Sequence, residues 1–398
     1  MNSKELIDLE QNYGAHNYHP IGVVISYAKG SYVYDPEGRR YLDFLSAYSA
    51  LNQGHRHPKI IKALNEQAKR LTLTSRAFYN DQLGPFLKKL TETAGYEVAL
   101  PMNTGAEAVE TAIKLARRYG YIKRGITLNQ AEIIVAADNF HGRTTTIVSM
   151  SSDPTAKDYF GPYTPGFITI PYNDTDALEK AITSNTVAFL VEPIQGEAGV
   201  IIPSDGYLKK IRDITSKHGI LLMIDEIQTG FGRTGKLFCY EHEGIRPDVV
   251  IVGKALGGGV LPVSGVLSDK KIMDVIIPGV HGSTFGGNPL ACAVASAAID
   301  VLLEEKLSER SAMLGEYFLN KLKKIKSPLI KEVRGKGLLI AMTLNRKARP
   351  YTEALKARGI LAKETHEDTI RFAPPLIIKK AQLDEALRQI KAVLDEVK

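Results

Sequence analysis

Apolar runs of four to six residues recur through the middle of the chain, at 133–137, 167–170, 187–191, 220–226, 249–254 and 263–267. Unbroken apolar runs, without in-and-out alternation, predict strands buried on both faces, as in parallel sheets covered by helices. Between them, the segment after Thr104 places Val109, Ala112, Ile113 and Ala116 at i, i+3, i+4 and i+7, and Thr104 with Glu107 forms a capping box at its start. Strand-like and helix-like segments therefore alternate, which predicts an α/β fold with a mostly parallel sheet and flanking helices. After Asn288 and Pro289 an Ala-rich helical pattern leads into 301–325. Short strands follow at 338–343 and 369–372, then an amphipathic helix using Leu383, Leu387, Ile390 and Leu394. That change of rhythm predicts a smaller α+β domain. The first fifty residues are rich in Tyr, Gly and His, with short pieces such as 31–34 before the Asp35-Pro36-Glu37-Gly38 turn, and are expected to pack on the rest rather than fold alone.

Two of the apolar runs end in charge. Asp225 closes I-L-L-M-I-D-E and Lys254 closes V-V-I-V-G-K. Ligands of parallel sheets sit beyond the C-terminal ends of the strands, so an acid and an amine at two such ends can share one pocket. Pyridoxal phosphate requires that pair: a lysine to bond its aldehyde and an anion to keep its ring nitrogen protonated. Taken singly, each residue is ordinary, a lysine at a strand end and an aspartate capping a helix.

Composition narrows the classes. The 398 residues are 44% hydrophobic and 24% charged, as in a soluble globular chain, and no low-complexity tract or internal repeat is visible. No run approaches the twenty or so apolar residues of a membrane span, and Met1 to Glu10 has no apolar signal core, so a cytoplasmic protein is expected. Cys239 and Cys292 stand far apart with no C-x-x-C spacing, which suggests neither a disulfide framework nor a zinc cluster. His55 and His57 lack a third ligand nearby, and no metal is expected. The net charge of +7 is scattered and favours small acidic partners over nucleic acid.

Three glycine-rich stretches compete as phosphate cradles. Gly230 to Gly235 matches G-x-G-x-x-G and nearly spells a P-loop. However, 236–243 lacks a helical face and Leu237 stands where a metal-binding hydroxyl belongs, so both matches are read as chance. Met102 to Ala106 opens the capped helix, where free N–H groups and the helix dipole favour a phosphate and Gly105 allows close approach. An ordinary capped helix would have the same sequence. Gly282 to Asn288 supplies hydroxyls ahead of another helix, or a plain turn.

Taken together, these pieces resemble the class III (omega) aminotransferases of the fold-type I pyridoxal-phosphate enzymes. The resemblance covers nearly the whole chain. It is carried in order by Asn103-Thr104-Gly105, Phe140-His141-Gly142-Arg143-Thr144, Glu192-Pro193 with Gln195-Gly196-Glu197, Asp225 to Gly230, Gly253-Lys254, and Ser283-Thr284 before Gly286-Gly287-Asn288-Pro289. The resemblance implies pyridoxal 5'-phosphate bonded to Lys254, which also carries the proton shift, with Asp225 on the ring nitrogen. It places Gln228 at the phenolic oxygen, Phe140 on the ring face and Gly105 and Ala106 at the phosphate. His141 would also line the ring, and Ser283 and Thr284 would reach the phosphate of a neighbouring subunit in a homodimer. The implied division is an N-terminal segment 1–49 packing on the small domain and dimer partner, a cofactor-binding domain 50–293 and a small domain 294–398.

Longer stretches, 14–20, 46–50, 74–80 and 371–375, resemble the branch of that class acting on ornithine. By that resemblance Tyr18 and Arg143 hold the substrate α-carboxylate and Tyr48 lines the pocket. Glu197 covers Arg371 while ornithine is bound and releases it for glutamate or 2-oxoglutarate. A diamine is repelled by a bare guanidinium, whereas a dicarboxylate needs two cationic clamps. N-acetylornithine, 4-aminobutyrate or another omega-amine is the alternative donor. His141 and Phe285 depart from the Trp and Tyr common in that branch, which bears on fine substrate preference.

Overall fold

A computed structural model describes residues 1–397. Strands β1 (Tyr27–Lys29), β2 (Tyr32–Tyr34) and β3 (Arg40–Asp43) form an antiparallel meander near the start of the chain. The central sheet has seven strands: β4 (Val98–Met102), β5 (Glu132–Ala136), β6 (Phe167–Ile170), β7 (Thr186–Val191), β8 (Leu221–Asp225), β9 (Val249–Val252) and β10 (Ser264–Ser268). Their order is β4-β10-β9-β8-β7-β5-β6, parallel from β9 through β6, with β10 antiparallel to both neighbours. Every residue of β7, β8, β9 and β10 is buried, the two-sided burial that the unbroken apolar runs predicted. The fold is therefore α/β with a mostly parallel sheet. Strand β4 was not among the expected runs; its Pro101 weakens a strand signal, and the sheet tolerates it because β4 is an edge strand.

Register sets the site. Val191 pairs with Ile224 and Asp225 with Ile251, so β7, β8 and β9 end nearly level. Glu192, Asp225 and Lys254 thus emerge along one edge of the sheet. On the far side of β10, Ser264 pairs with Met102 and donates its hydroxyl to the Thr104 carbonyl at 2.7 Å, which brings the start of the helix Gly105–Lys123 to the same edge.

The last hundred residues add β11 (Ile330–Lys336), β12 (Leu339–Leu344), β13 (Ile360–Leu361), β14 (Lys363–Thr365) and β15 (Thr369–Phe372). Four of these make a second antiparallel sheet, β11-β12-β15-β14. Strand β13 instead pairs in parallel with β3, so the N-terminal meander and the C-terminal part share one sheet. The helical pattern after Pro289 is two helices, Pro289–Glu304 and Leu307–Lys323, separated where Lys306 adopts φ +51°. The first of them runs unbroken across the expected boundary at 293/294. His55 and His57 serve structure: His55 bonds Asp43 at 2.7 Å, and His57 caps the helix Pro58–Ala68 and bonds Glu305 at 2.8 Å.

The Gly230–Gly235 stretch is a buried joint. No α-helix follows it; the chain passes to a 3-10 turn at Cys239–Glu243. Fully buried Arg233 donates to the carbonyls of Leu338 (2.9 Å) and Pro374 (2.6 Å) and to Asn52 Oδ1 (2.6 Å), tying the loop to β12 and to the end of β15. Burial lowers its pKa to about 9, with Asp43 opposing the shift. Replacing Arg233 with Met keeps the volume but leaves those acceptors unpaired, and is expected to lower stability by about 3 kcal/mol, read as a drop in the urea midpoint.

Candidate active site

The strand ends and the helix start enclose a cavity of about 200 Å³. Its lining includes Gly105, Ala106, Phe140, His141, Glu192, Asp225, Gln228 and Lys254. At one wall the helix Gly105–Lys123 presents its first turn. Thr104 Oγ1 accepts the Glu107 N–H and the Glu107 carboxylate accepts the Thr104 N–H, which leaves the N–H groups of Gly105 and Ala106 without intrahelical acceptors. Gly105 keeps this turn close to Ile227, whose side chain would have to shift by a few tenths of an ångström to admit a Cβ at 3.1 Å.

Asp225 stands at the floor. Its Oδ2 is 2.7 Å from His141 Nδ1 and its Oδ1 accepts the Ile227 N–H at 3.0 Å; both side chains of the pair are almost fully buried. Burial works against a charged imidazole, yet the hydrogen bond to Asp225 and its negative charge outweigh that and raise the His141 pKa. Glu192, at the end of β7, accepts the Phe140 N–H at 3.0 Å and the Gly196 N–H at 3.4 Å. Burial pushes its carboxyl up to about 7 against the pull of His141. The sequence reading gave Glu192 no role, although the signal that singled out Asp225, a charge closing an apolar strand, applies equally to it.

Lys254 follows Gly253 at the end of β9 with φ +43°, a strained conformation for a side chain of this size. Burial lowers its amine pKa, with Glu197 opposing and Arg371 adding to the shift. The turn behind it is held by Gln53, whose amide donates to Ala255 at 3.1 Å and Ala298 at 3.2 Å.

Beside the cavity lies a second polar group. Arg371 of β15, 2% exposed, donates from Nη1 to Glu197 Oε1 at 2.7 Å. Gln228 Nε2 donates to the same oxygen at 2.9 Å, so Gln228 links the cavity wall to the ion pair. Gly196 makes room for it, since a Cβ there would collide with the Gln228 amide. Burial pushes the Glu197 carboxyl up, but Arg371 outweighs it and holds the group below the ordinary range. The Arg371 guanidinium sits 4.8 Å from the centre of the Tyr48 ring. Tyr48 is presented by residues 46–49, which all have positive φ (49°, 45°, 59°, 73°), a turn braced by Asp43 Oδ1 accepting the N–H groups of Leu45 and Ser46 at 2.8 Å each.

Other expected residues stand apart. Arg143 is exposed, with its guanidinium 5.7 Å from the Phe140 ring centre. Tyr18 is 74% exposed. Ser283 accepts from Asn103 Nδ2 at 3.0 Å and from the Gly286 N–H at 3.1 Å, and Thr284 is exposed; neither lines this chain's cavity.

A lysine and an aspartate converging from two parallel strand ends, next to an open helix N-terminus, define a fold-type I transferase with an amine at its centre. The family description "Aminotransferase class-III" matches residues 13–394, and the chain belongs to that family. It is 60% identical over 389 residues to the ornithine aminotransferase of Brevibacillus brevis, covering 98% of each. The ornithine aminotransferase structure from Toxoplasma gondii that shows partial occupancy of PLP at its active site superposes with a TM-score of 0.98, at 45% identity, over 100% of this chain and 95% of that one. Acetylornithine aminotransferase from Elizabethkingia anophelis gives a TM-score of 0.91 at 51% identity, covering 100% of both chains.

Class-III aminotransferases work with pyridoxal 5'-phosphate. The donor set here suits that group: a carboxylate for a ring nitrogen, a primary amine for an aldehyde, an aromatic ring, and free N–H groups beside a glycine for a phosphate. Among the described residues, no helix is long and apolar enough to cross a membrane.

A pH dependence follows from the buried acids. Burial also raises Glu226 from the usual 4.5 to about 7. Folded chains therefore hold protons on Glu192 and Glu226 that unfolded chains have released, and stability is lost as pH rises from about 4.5 through 7. His141, raised above the usual 6.5, adds a loss of the same sign that begins only near the top of that range. The melting temperature of the cofactor-free protein should fall over that window, and Glu226→Gln should flatten the fall in a pH series of melting curves.

Proposed function

We propose that the protein transfers the δ-amino group of L-ornithine to 2-oxoglutarate, giving glutamate 5-semialdehyde, which cyclises to pyrroline-5-carboxylate, and glutamate. The observation that carries this reading is the buried Glu197–Arg371 pair at 2.7 Å beside the cavity. Covered, it presents no net positive charge to a diamine; uncovered, it offers a guanidinium fork to a second carboxylate. The ornithine aminotransferase activity named for the Brevibacillus relative supports the same assignment.

When bound, pyridoxal phosphate supplies an aldehyde that takes up amino groups and a ring that withdraws electrons from the carbon losing a proton. In this proposal the protein's own residues do the rest. Lys254 would hold the cofactor through its amine, and its Nζ would be the base that takes the proton from the substrate's amine-bearing carbon and gives it back. A neutral amine is needed for this, and burial favours it. Asp225, steadied by His141, would pair with the ring nitrogen; Phe140 and His141 would pack on the ring, and Gln228 would serve its phenolic oxygen. The N–H groups of Gly105 and Ala106 would receive the phosphate. Ser283 and Thr284, which do not line this chain's cavity, would serve the phosphate held by a neighbouring subunit in a homodimer. Tyr18 and Arg143 bind the α-carboxylate of the substrate, Tyr48 lines the approach, and Glu197 turns away from Arg371 for the dicarboxylates. Residues 294–398, with their own sheet, form the smaller domain that carries Arg371 to this site.

N-acetylornithine, 4-aminobutyrate or another omega-amine is the second reading, favoured by the 51% identity to the acetylornithine enzyme. Steady-state kcat/KM for the three amines with 2-oxoglutarate decides between them: ornithine is expected to lead, and a lead for N-acetylornithine transfers the assignment. Lys254→Ala is expected to lower turnover about 10,000-fold. In the same variant, hydride reduction should no longer leave cofactor attached, as read from intact mass. Glu197→Ala uncovers Arg371 and is expected to shift preference from ornithine toward glutamate by about tenfold in the ratio of kcat/KM values.

A further inference from the structure

Glu197 sits at the tip of a closed loop, 195–201. Gln195 and Ile201 exchange backbone hydrogen bonds at 3.1 and 2.9 Å, and the Gln195 side chain donates to the Ala137 carbonyl at 2.7 Å. The far limb of the loop is strained: Gly199 has φ +107° and Val200, fully buried, has φ +56°, a rare conformation for a β-branched residue. Such a turn persists only if its surroundings hold it. Two residues of the second sheet do so. Arg334 of β11 donates from Nη2 to the Gly199 carbonyl at 2.5 Å and from Nε to the Val200 carbonyl at 3.0 Å. Its other arm is fixed on Thr343 Oγ1 at 2.9 Å and Glu332 Oε2 at 2.6 Å. Thr365 of β14 donates its hydroxyl to the carbonyl of Glu197 itself at 2.5 Å.

We propose that Arg334 and Thr365 are positioning residues for substrate selection, clamping the 195–201 loop so that Glu197 covers Arg371. Neither lines the cavity. Both act on backbone carbonyls, so they fix where the carboxylate starts from rather than its charge. A cleft of about 940 Å³, lined by Gln195, Ala198, Ile201, Arg334 and Thr369, lies behind the loop and gives it room to withdraw once the clamp loosens. Because β11, β14 and β15 belong to one sheet, the clamp residues and Arg371 share one support, whereas the loop follows β7 of the central sheet. Cover and release of Arg371 thus depend on contacts between the two sheets, a specificity determinant that rests on the reading of the Glu197–Arg371 pair given above.

The test uses the full-chain holoenzyme with Arg334→Gln, Arg334→Lys, Thr365→Val, Glu197→Ala and the doubles with Glu197→Ala. The readouts are kcat/KM for ornithine and for glutamate as donors, and calorimetric affinity for glutarate, an unreactive dicarboxylate. Thr365→Val, which loses one hydrogen bond to the loop, is expected to lower the ornithine-to-glutamate ratio by about tenfold, and Arg334→Gln, which disrupts two charge-assisted ones, by at least as much. Glutarate should bind more tightly, Arg334→Lys should recover part of the ratio, and neither change should add to Glu197→Ala. The clamp is refuted if both donors lose rate equally, or if the ratio moves with Glu197→Ala but not with Arg334→Gln and Thr365→Val. It is refuted as well if their effect persists in the Glu197→Ala background. Should Glu197→Ala itself leave the ratio unchanged, the underlying reading of the ion pair falls and the clamp falls with it.

Discussion

Charge brought out of water at the ends of parallel strands is the constraint around which the molecule is organised. Strands β7, β8 and β9 are buried on both faces, so the charged residues at or just past their ends, Glu192, Asp225 and Lys254, emerge at the boundary of a low-dielectric interior. Each buried charge there needs a partner or a shift in protonation. His141 answers Asp225, backbone N–H groups and a raised pKa answer Glu192, and a lowered pKa answers Lys254. The same compensation that makes the interior tolerable produces an anion of fixed geometry and an amine biased toward its neutral form.

A second set of buried charges ties the two sheets together. Arg233 and Arg371 both reach across from one part of the fold to the other, but with different partners. Arg233 meets carbonyls and an amide, which leaves it a fixed joint. Arg371 meets a carboxylate on a loop, and a carboxylate on a loop can leave. One guanidinium therefore serves as a staple and the other as an adjustable contact, a difference set by what faces each of them and not by the residue type.

Much of the arrangement was legible along the chain. Continuous apolar runs located six of the seven central strands, and the charges closing two of them pointed to a common pocket. The capping box at Thr104 and Glu107 marked the helix whose first turn meets that pocket. Strand β4 escaped because Pro101 masks an edge strand, and the break at Lys306 escaped because the apolar periodicity continues across it. Glu192 escaped for a different reason, since its signal was present and went unread. The glycine motif at 230–235 shows the opposite error that a pattern invites: six residues match a phosphate loop, yet Gly235 lies against the backbone of Ala312 and Gly232 against the side chains of Leu302 and Leu376.

Periodicity and strand-end chemistry are local, so the order of residues was sufficient to set the α/β class, the burial of the strands and the pairing of an acid with an amine. Distances between segments far apart in the chain are not local. The 2.7 Å contacts of His141 with Asp225 and of Glu197 with Arg371 join residues 84 and 174 positions apart. The support of the Glu197 loop by Arg334 and Thr365 crosses from one sheet to another. Such contacts depend on how the two sheets pack, and packing is decided by the sum of many weak apolar interactions rather than by any motif. The sequence determined which chemistry was available; the tertiary structure decided which charges would be covered, and by what.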